Sequence, residues 1–140
     1  MLFHIIARGK IGRSPERELV ERYEKRLGDA LRVTELPETG GRIPEALTPC
    51  RTILLDERGK NLSSEELADL LGRWREDGIR ETRFMIGAAD GHSAEDRSDA
   101  YMLISFGKAT WPHLMVRAML AEQIYRATTI LAGHPYHRSG

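Results

Sequence analysis

The feature that most constrains this chain is a regular alternation of short apolar segments with longer segments in which apolar residues recur at helical spacing. The apolar segments, such as residues 2–7 and 52–56, are nearly uninterrupted and are bounded by glycine or charged residues. Strands of a parallel sheet have this pattern because both of their faces are covered. The alternation therefore predicts an α/β domain with a mainly parallel sheet of about five to six strands and helices on both faces.

Local signals predict where most elements begin and end. Ser14 followed by Pro15 is typical of a helix start, and Ser63 with Glu66 forms a capping-box pattern before a second helix. Helices are predicted at residues 15–27, 64–77 and 112–132, with a short one at 93–98. Strands are predicted at residues 2–7, 31–36, 52–56, 83–86 and 101–106, a turn at 57–60 and a loop at 37–49.

The last and longest predicted helix begins in a turn that contains Pro112 and is ended by Gly133 and Pro135. Its first half is apolar nearly all round, so more than one face should be buried. One face can cover the sheet of the chain itself, and another requires a partner. An aromatic and basic tail, residues 136–138, follows the helix and is poorly explained by packing alone.

Composition excludes several classes of protein. A chain of 140 residues fits one domain spanning residues 1–140. The formal net charge is zero, so overall charge gives no support for nucleic-acid binding. No apolar run approaches the roughly 18 residues of a membrane helix, and the first residues do not form a signal peptide. Cys50 is the only cysteine, which excludes an intrachain disulfide and favours a cytoplasmic location.

Sheet geometry predicts where a ligand would bind. Ligands of parallel sheets lie beyond the carboxyl ends of the strands, which nominates the loops after Leu55, Ile86 and Phe106. The glycine-containing segment 87–91 could bring backbone N–H groups close to a nucleotide-like ligand, or could simply connect strand to helix. In residues 106–112, apolar side chains could line a slot for a flat ring, or Trp111 could be an ordinary core residue at a helix entry.

The last helix and the tail carry the remaining candidates for chemistry. Glu122 and Arg126 are four residues apart, so an intrahelical ion pair is the simplest interpretation, and contact of Arg126 with a phosphate or a partner subunit is the alternative. In the tail, Tyr136 could stack on a base, His137 could move a proton and Arg138 could bind phosphate or a carbonyl oxygen. A frayed chain end is the alternative there.

Metal and nucleophilic chemistry are disfavoured. Cys50, His113, His134 and His137 have no recognised metal-ligand spacing. His4 lies in an apolar strand, where a hydrogen-bonded core histidine is expected. Nothing in the sequence around Cys50 would lower the pKa of its thiol.

Several motifs, all in order along the chain, resemble the ribosomal RNA large-subunit methyltransferase H family of the SPOUT class. They are Thr-Trp-Pro-His at 110–113, Ala-Glu-Gln-Ile-Tyr-Arg-Ala at 121–127 and His-Pro-Tyr-His-Arg at 134–138, with upstream matches at 23–27, 55–60 and 84–87. The resemblance implies a single SPOUT-like domain whose C-terminal part, about residues 80–140, forms a trefoil knot and binds the cofactor. It also implies a homodimer that uses S-adenosylmethionine to methylate N3 of a pseudouridine in 23S rRNA, within the large subunit or the assembled ribosome.

The same resemblance implies site residues. The S-adenosylmethionine pocket would comprise Leu55, Gly87, Phe106, Gly107, Lys108, Ala109, Thr110 and Trp111. Tyr136, His137 and Arg138 would be catalytic and, with Arg126, would bind the substrate. The chain departs from the family in two places: residues 37–49 are too few for the helix usual there, and Ala88 replaces a second glycine after Gly87. Two other functions remain open, a non-catalytic rRNA-binding module and a SPOUT methyltransferase of another RNA such as tRNA.

Overall fold

A single parallel sheet of five strands forms the centre of the molecule, in the order β2-β1-β4-β3-β5. The computed structural model describes residues 1–88 and 91–138. The strands are β1 Leu2–Arg8, β2 Leu31–Leu36, β3 Cys50–Asn61, β4 Glu81–Ile86 and β5 Met102–Ser105. Every neighbouring pair is parallel, which confirms the predicted α/β class and its mainly parallel sheet.

The helices flank this sheet and begin and end close to the predicted positions. They are α1 Pro15–Leu27, α2 Ser64–Glu76, α3 Ala94–Asp99 and α4 His113–Ala132, with a 3-10 turn at Gly28–Ala30. At the start of α1, the Ser14 hydroxyl accepts a hydrogen bond from the Arg17 amide. At the start of α2, Ser63 and Glu66 form the predicted capping box. Gly133 ends α4 in the left-handed conformation, at φ 71°. Pro112 is the residue before α4 and not its first residue, a correction of one position.

The two faces of the sheet differ because successive side chains of a strand point to opposite sides. Phe3, Ile5 and Ala7 share one face with Phe84 and pack in the main apolar core, together with buried side chains of α1, α2 and α4. His4 lies on the other face and is fully buried. The apolar core therefore holds the three long helices against one side of the sheet, whereas the sequence predicted helices on both faces.

A buried polar network occupies the opposite face beneath the loop at 37–49. His4 contacts Glu81 through Nδ1 at 3.2 Å and Thr34 through Nε2 at 2.6 Å, so it is the satisfied core histidine that the sequence predicts. Glu81 also pairs with Arg83 and accepts from the Leu47 amide at 3.1 Å. The loop is therefore tied to the sheet by hydrogen bonds to buried charged groups.

The third strand is longer than predicted. The turn predicted at residues 57–60 is wrong, since β3 continues to Asn61. Ile104 of β5 is paired first with Leu55 and then with Lys60, with a register shift between them. A Cβ atom at Gly59 would lie 2.5 Å from the Ile104 nitrogen, so only glycine lets β5 pass this close.

Candidate functional site

A cavity of about 340 Å³ opens at the carboxyl ends of β3, β4 and β5, where the sequence predicted ligand binding. Parallel strands place their carboxyl ends on one edge of the sheet, so the three loops that follow them meet there. The lining residues are Leu55, Asp56, Glu57, Arg58, Ile86, Gly87, Ala88, Gly91, His92, Arg97, Ile104, Ser105, Phe106, Ala109, Thr110, Trp111, His113 and Val116. The walls thus combine apolar side chains with a small set of charged and polar groups.

Gly87 makes room at the end of β4. A Cβ atom there would lie 2.9 Å from the carbonyl carbon and oxygen of Gly91, closer than real side chains approach backbone. Gly91 itself has φ 77°, a conformation that favours glycine. The segment therefore needs glycine at both positions. Ala89 and Asp90, between them, lie outside the described residues.

Trp111 forms part of the cavity wall. Its indole N–H donates to the Phe106 carbonyl at 3.2 Å, and the residue is 41% exposed. The sequence left two interpretations of Trp111 open. The interpretation as an ordinary core residue is wrong, because the side chain is too exposed. Thr110 is held by a hydrogen bond from its hydroxyl to Glu57 at 3.0 Å. These contacts join the loop before α4 to the end of β3.

Asp56 is the principal anionic group of the cavity. Its Oδ2 accepts from the Arg97 guanidinium at 3.0 Å, and its Oδ1 accepts from the Arg58 amide at 2.9 Å. Burial alone would raise the pKa of Asp56, but these hydrogen bonds and the nearby positive charges hold it below its usual value. Asp56 is therefore ionised at neutral pH, and Arg97 is fixed beside it.

Two histidines line the cavity, and they differ in their hydrogen bonding. The Nε2–H of His92 donates to the Leu55 carbonyl at 3.0 Å, which fixes the ring. His113 opens α4, and its Nδ1 is buried with no hydrogen-bond partner in the part of the chain that the structure describes. A buried polar atom without a partner is uncommon in folded proteins.

The C-terminal tail does not line this cavity and instead folds back on its own helix. The Tyr136 hydroxyl donates to Glu122 at 3.0 Å and lies 3.4 Å from the Tyr23 hydroxyl. Its ring packs edge-on against Tyr125, with 4.8 Å between centroids, and lies under the Arg126 guanidinium at 5.0 Å. Burial and the hydrogen bonds to Tyr23 and Glu122 raise the pKa of Tyr136, so its hydroxyl stays protonated at neutral pH.

His137 is held between two charged residues. Arg126 donates to its Nδ1 at 3.0 Å, and its Nε2 lies 2.7 Å from Glu65, to which it donates. Arg126 also makes the predicted pair with Glu122, at 2.8–3.1 Å. The intrahelical pair predicted for Arg126 is therefore confirmed, whereas its contact with a phosphate or a partner subunit stays a prediction. Arg138 is exposed.

An apolar groove of about 350 Å³ between α1 and α4 borders the cavity. It is lined by Pro15, Glu16, Leu19, Tyr23, Phe106, Met115, Ala118, Met119, Glu122 and Gln123. Leu19 is 38% exposed and Met115 is 39% exposed, so this is the second apolar face of α4 that the sequence predicted. Phe106 lines both the groove and the cavity, and Tyr23 and Glu122 both line the groove and hold Tyr136.

The structure thus divides the sequence-predicted site residues into two groups. Leu55, Gly87, Phe106, Ala109, Thr110 and Trp111 line the cavity, whereas Gly107 and Lys108 belong to the same loop without lining it. Arg126 and residues 136–138 form a separate cluster beside the groove. Asp56, His92 and Arg97 also line the cavity, although the sequence did not predict them there. Asp56 directly follows a nominated strand end, but nothing in the sequence indicates that Arg97 would pair with it.

Neither a metal site nor a membrane helix is found in the described part of the chain. Residues 1–88 and 91–138 contain no group of three His, Cys, Asp or Glu side chains arranged to hold a metal ion. Within the same residues, no helix is both long and apolar enough to span a bilayer.

Comparison with known proteins identifies the class of protein to which this fold and cavity belong. A family model described as "Predicted SPOUT methyltransferase" matches residues 1–137. The chain belongs to the SPOUT methyltransferase family. In solved structures, a probable methylase family protein from Haemophilus influenzae matches with a TM-score of 0.65 at 10% identity, over 98% of this chain and 70% of that one. The SpoU methyltransferase AviRb from Streptomyces viridochromogenes, in complex with AdoMet, matches with a TM-score of 0.52 at 14% identity, over 91% and 57%. These two likenesses concern the fold.

Closer relatives narrow the assignment. Proteins named ribosomal RNA large subunit methyltransferase H are 70% identical over 140 residues in Erythrobacter litoralis and 64% identical over 141 residues in Novosphingobium aromaticivorans, each over the full length of both chains. A relative of the same name from Bradyrhizobium diazoefficiens is 48% identical over 156 positions, covering 96% of this chain and 98% of its own. Within the SPOUT class, the chain is thus a member of the ribosomal RNA large subunit methyltransferase H family, as the motifs predicted.

Proposed function

We propose that this protein transfers a methyl group from S-adenosylmethionine to N3 of a pseudouridine in 23S rRNA, acting in the cytoplasm on the large subunit or the assembled ribosome. The observation that carries the proposal is the cavity at the carboxyl ends of β3, β4 and β5, which brings together Leu55, Gly87 and the loop 106–111. Family membership and the names of the close relatives support the class of reaction and the RNA substrate.

The cavity suits an adenosyl sulfonium compound in size and chemistry. Its volume of about 340 Å³ falls within the usual range for small-ligand pockets, about 300–1,000 Å³. Ile104 and Phe106 supply apolar walls for a flat ring, and Gly87 keeps the backbone free of a side chain. Glu57 places a carboxylate in the wall that would complement a positively charged donor, whereas Asp56 is already paired with Arg97 and Arg58. When bound, S-adenosylmethionine supplies an electrophilic methyl group.

The residues of the tail supply the chemistry that the nucleoside needs. N3 of pseudouridine must lose its proton for the nitrogen to attack the methyl carbon, and the flanking carbonyl oxygens then carry negative charge. In this proposal His137 accepts or relays the proton, Arg138 stabilises the anionic base, and Tyr136 orients the nucleoside. Nδ1 of His137 is covered by Arg126 in the observed position, so acceptance of a proton at that atom requires the contact to open. Proton transfer by a positioned side chain typically accelerates a reaction by about 10²–10⁴-fold.

A homodimer would complete this site, because no residue of the tail lines the cavity of its own chain among the described residues. The groove between α1 and α4 is the surface that a second copy would cover. Phe106 joins the groove to the cavity, and Tyr23 and Glu122 join the groove to the tail. A copy seated in the groove would therefore bring its own tail towards the neighbouring cavity. Light scattering that gave a monomer with full activity would contradict this part of the proposal.

Two measurements test the function as a whole. Calorimetry with S-adenosylmethionine should detect binding, whereas a non-catalytic rRNA-binding module need not bind it. Mass spectrometry of 23S rRNA from cells that lack the protein should show one pseudouridine without its N3 methyl group, and purified protein should restore that group on isolated ribosomes. An unchanged 23S rRNA together with a missing methyl group on tRNA would instead assign the enzyme to another RNA.

The tail assignments have a separate test. His137→Ala and Arg138→Ala should each lower the rate of methyl transfer by at least about tenfold while leaving the affinity for S-adenosylmethionine unchanged. Near-normal rates in both variants would reject these roles without affecting the proposed reaction.

A further inference from the structure

The loop after β1, residues 9–13, is the best-anchored surface loop at the edge of the sheet that carries the cavity. Its Gly9 amide donates to the Leu36 carbonyl at 2.8 Å, and its Ile11 amide donates to Glu35 Oε2 at 2.8 Å. The Ser14 hydroxyl closes the other end by donating to the Ile11 carbonyl at 3.1 Å. These contacts hold the backbone of the loop in one conformation.

A buried arginine completes the anchoring. Arg117 of α4 is 1% exposed, donates to the Gly9 carbonyl at 3.1 Å and pairs with the same Glu35 oxygen that accepts from Ile11. Burial of a guanidinium is costly unless its partners are well placed, and here those partners are the loop and the carboxylate that holds it. Arg117 neither lines the cavity nor contacts the tail. The direct effect of its buried guanidinium is therefore to hold this loop in place.

What the loop presents to solvent is positive charge. Lys10 and Arg13 are both exposed, and within residues 1–88 and 91–138 neither side chain has an ion-pair or hydrogen-bond partner. Gly9 and Gly12 adopt φ values of 87° and 61°, which lets the chain turn sharply between the two cations. A rigid loop with two unpaired cations is a suitable surface for a polyanion.

The loop also lies next to the cavity. A Cβ atom at Gly9 would lie 3.8 Å from Cε1 of His113, which is ordinary van der Waals contact, and His113 lines the cavity. Arg58, 68% exposed, lines the cavity from the β3 side. The loop that carries Lys10 and Arg13 therefore borders one wall of the cavity at His113, and Arg58 lies on another wall.

We propose that the loop 9–13, fixed by Arg117 and Glu35, is a phosphate-binding surface that holds the rRNA backbone beside the target nucleoside through Lys10 and Arg13. This inference rests on the proposed function, since it names the surface that presents the RNA to the cavity. Phosphate contacts position a nucleic acid without reading its sequence. They would explain how a protein of zero formal charge engages RNA, because two cations lie together on a loop beside the cavity.

The test compares two double variants that remove the same charge from opposite edges of the sheet. Lys10→Ala/Arg13→Ala changes the loop, and the control Arg73→Ala/Arg75→Ala changes exposed residues in the last turn of α2. For the loop variant we expect unchanged affinity for S-adenosylmethionine, unchanged kcat at saturating large subunits and a KM for subunits raised about tenfold. The dependence of log kcat/KM on log salt concentration should become shallower by about 1.5, since each phosphate contact contributes roughly 0.7–0.9.

The outcomes separate this inference from the proposed function. The control variant should match the wild-type protein in all four quantities, and Lys10→Arg/Arg13→Lys should restore KM. An unchanged KM and salt dependence in the loop variant, or equal changes in both double variants, would overturn the inference. Absence of methyl transfer by the wild-type protein would instead overturn the proposed function.

Discussion

At the scale of single residues, Gly87 is the wall residue through which the proposed cofactor cavity can be tested most directly. Gly87→Ala would place a methyl group 2.9 Å from the backbone of Gly91, so the turn that forms this wall would have to move. We expect the affinity for S-adenosylmethionine, measured by calorimetry, to fall by at least about tenfold, since a misplaced backbone loses both contacts and space.

The matched control for this change is Gly72→Ala. A Cβ atom at Gly72 would meet the Leu131 Cδ2 atom at 2.8 Å, an equally close approach that is remote from the cavity and involves a side chain that can rotate. We expect that variant to change thermal stability and to leave S-adenosylmethionine affinity unchanged. Equal affinities of the two variants would show that Gly87 does not form part of the donor site.

Individual residues also define the limit of sequence-based prediction at the site. Leu55 and Gly87 were predictable because each lies at the carboxyl end of a predicted apolar strand, and Leu55 is paired with Ile86 at the end of β4 although β3 itself continues to Asn61. Arg97 was not predictable as a cavity residue, since its pairing with Asp56 depends on how α3 is placed against β3. The position of Tyr136 was equally inaccessible, because its partners Tyr23 and Glu122 lie on helices that meet only in the folded chain.

At the scale of elements, the loop at 37–49 depends on the buried network that holds it. Glu81→Gln would remove the carboxylate that pairs with Arg83, leaving a guanidinium that is 7% exposed without its counter-ion. We expect the free energy of unfolding, measured with urea, to fall by about 3–5 kcal/mol. Proteolysis within residues 37–49 should also become faster, because the Leu47 amide would then donate to a neutral amide oxygen, which is a weaker acceptor than the carboxylate. A loss below about 1 kcal/mol would show that the network is not a major anchor.

The same network predicts the direction of the pH dependence of stability. Burial lowers the pKa of His4, whereas the pKa of Glu81 is lowered despite its burial by hydrogen bonds from Arg83, the Leu47 amide and His4. In both cases the unfolded chain binds the proton more readily, so stability should fall as pH decreases. The His4 contribution should be lost below about pH 6.5 and the Glu81 contribution below about pH 4.5.

The control for the pH dependence is His4→Gln, which retains a donor and an acceptor and does not titrate. Urea unfolding at pH 7, 5.5 and 4 should show a smaller loss between pH 7 and 5.5 for this variant than for the wild-type protein. Identical losses in that interval would mean that His4 does not contribute to it.

The third strand illustrates why element boundaries were less predictable than element types. Residues 57–60 are polar and contain glycine, which is typical of a turn. They extend β3 because β5 packs directly on Gly59, a long-range contact that local sequence does not encode. Gly59→Ala should therefore destabilise the protein by about 1–3 kcal/mol or prevent folding, as measured by thermal unfolding, whereas exposed Lys60→Ala should have little effect. Similar melting temperatures for both variants would contradict this account of β3.

At the scale of the whole molecule, the separation of cavity and tail makes a prediction about two copies of the chain. If each site combines the cavity of one copy with the tail of the other, two inactive variants should complement each other. One variant, Gly87→Leu, has a blocked cavity and an intact tail, and the other, His137→Ala/Arg138→Ala, has an intact cavity and an inactive tail. A mixed dimer then contains one fully intact site, formed by the cavity of the tail variant and the tail of the cavity variant.

Random mixing in equal amounts gives mixed dimers in about half of the population, so methyl transfer should recover to about a quarter of the wild-type rate. The rate is measured on large subunits after the two variants are unfolded and refolded together, and each variant refolded alone is the control. If each site instead used its own tail, a mixed dimer would contain no intact site, and the mixture would stay as inactive as its components. Recovery therefore requires that each site combine the cavity of one copy with the tail of the other, which is the arrangement proposed from the groove that Phe106 shares with the cavity.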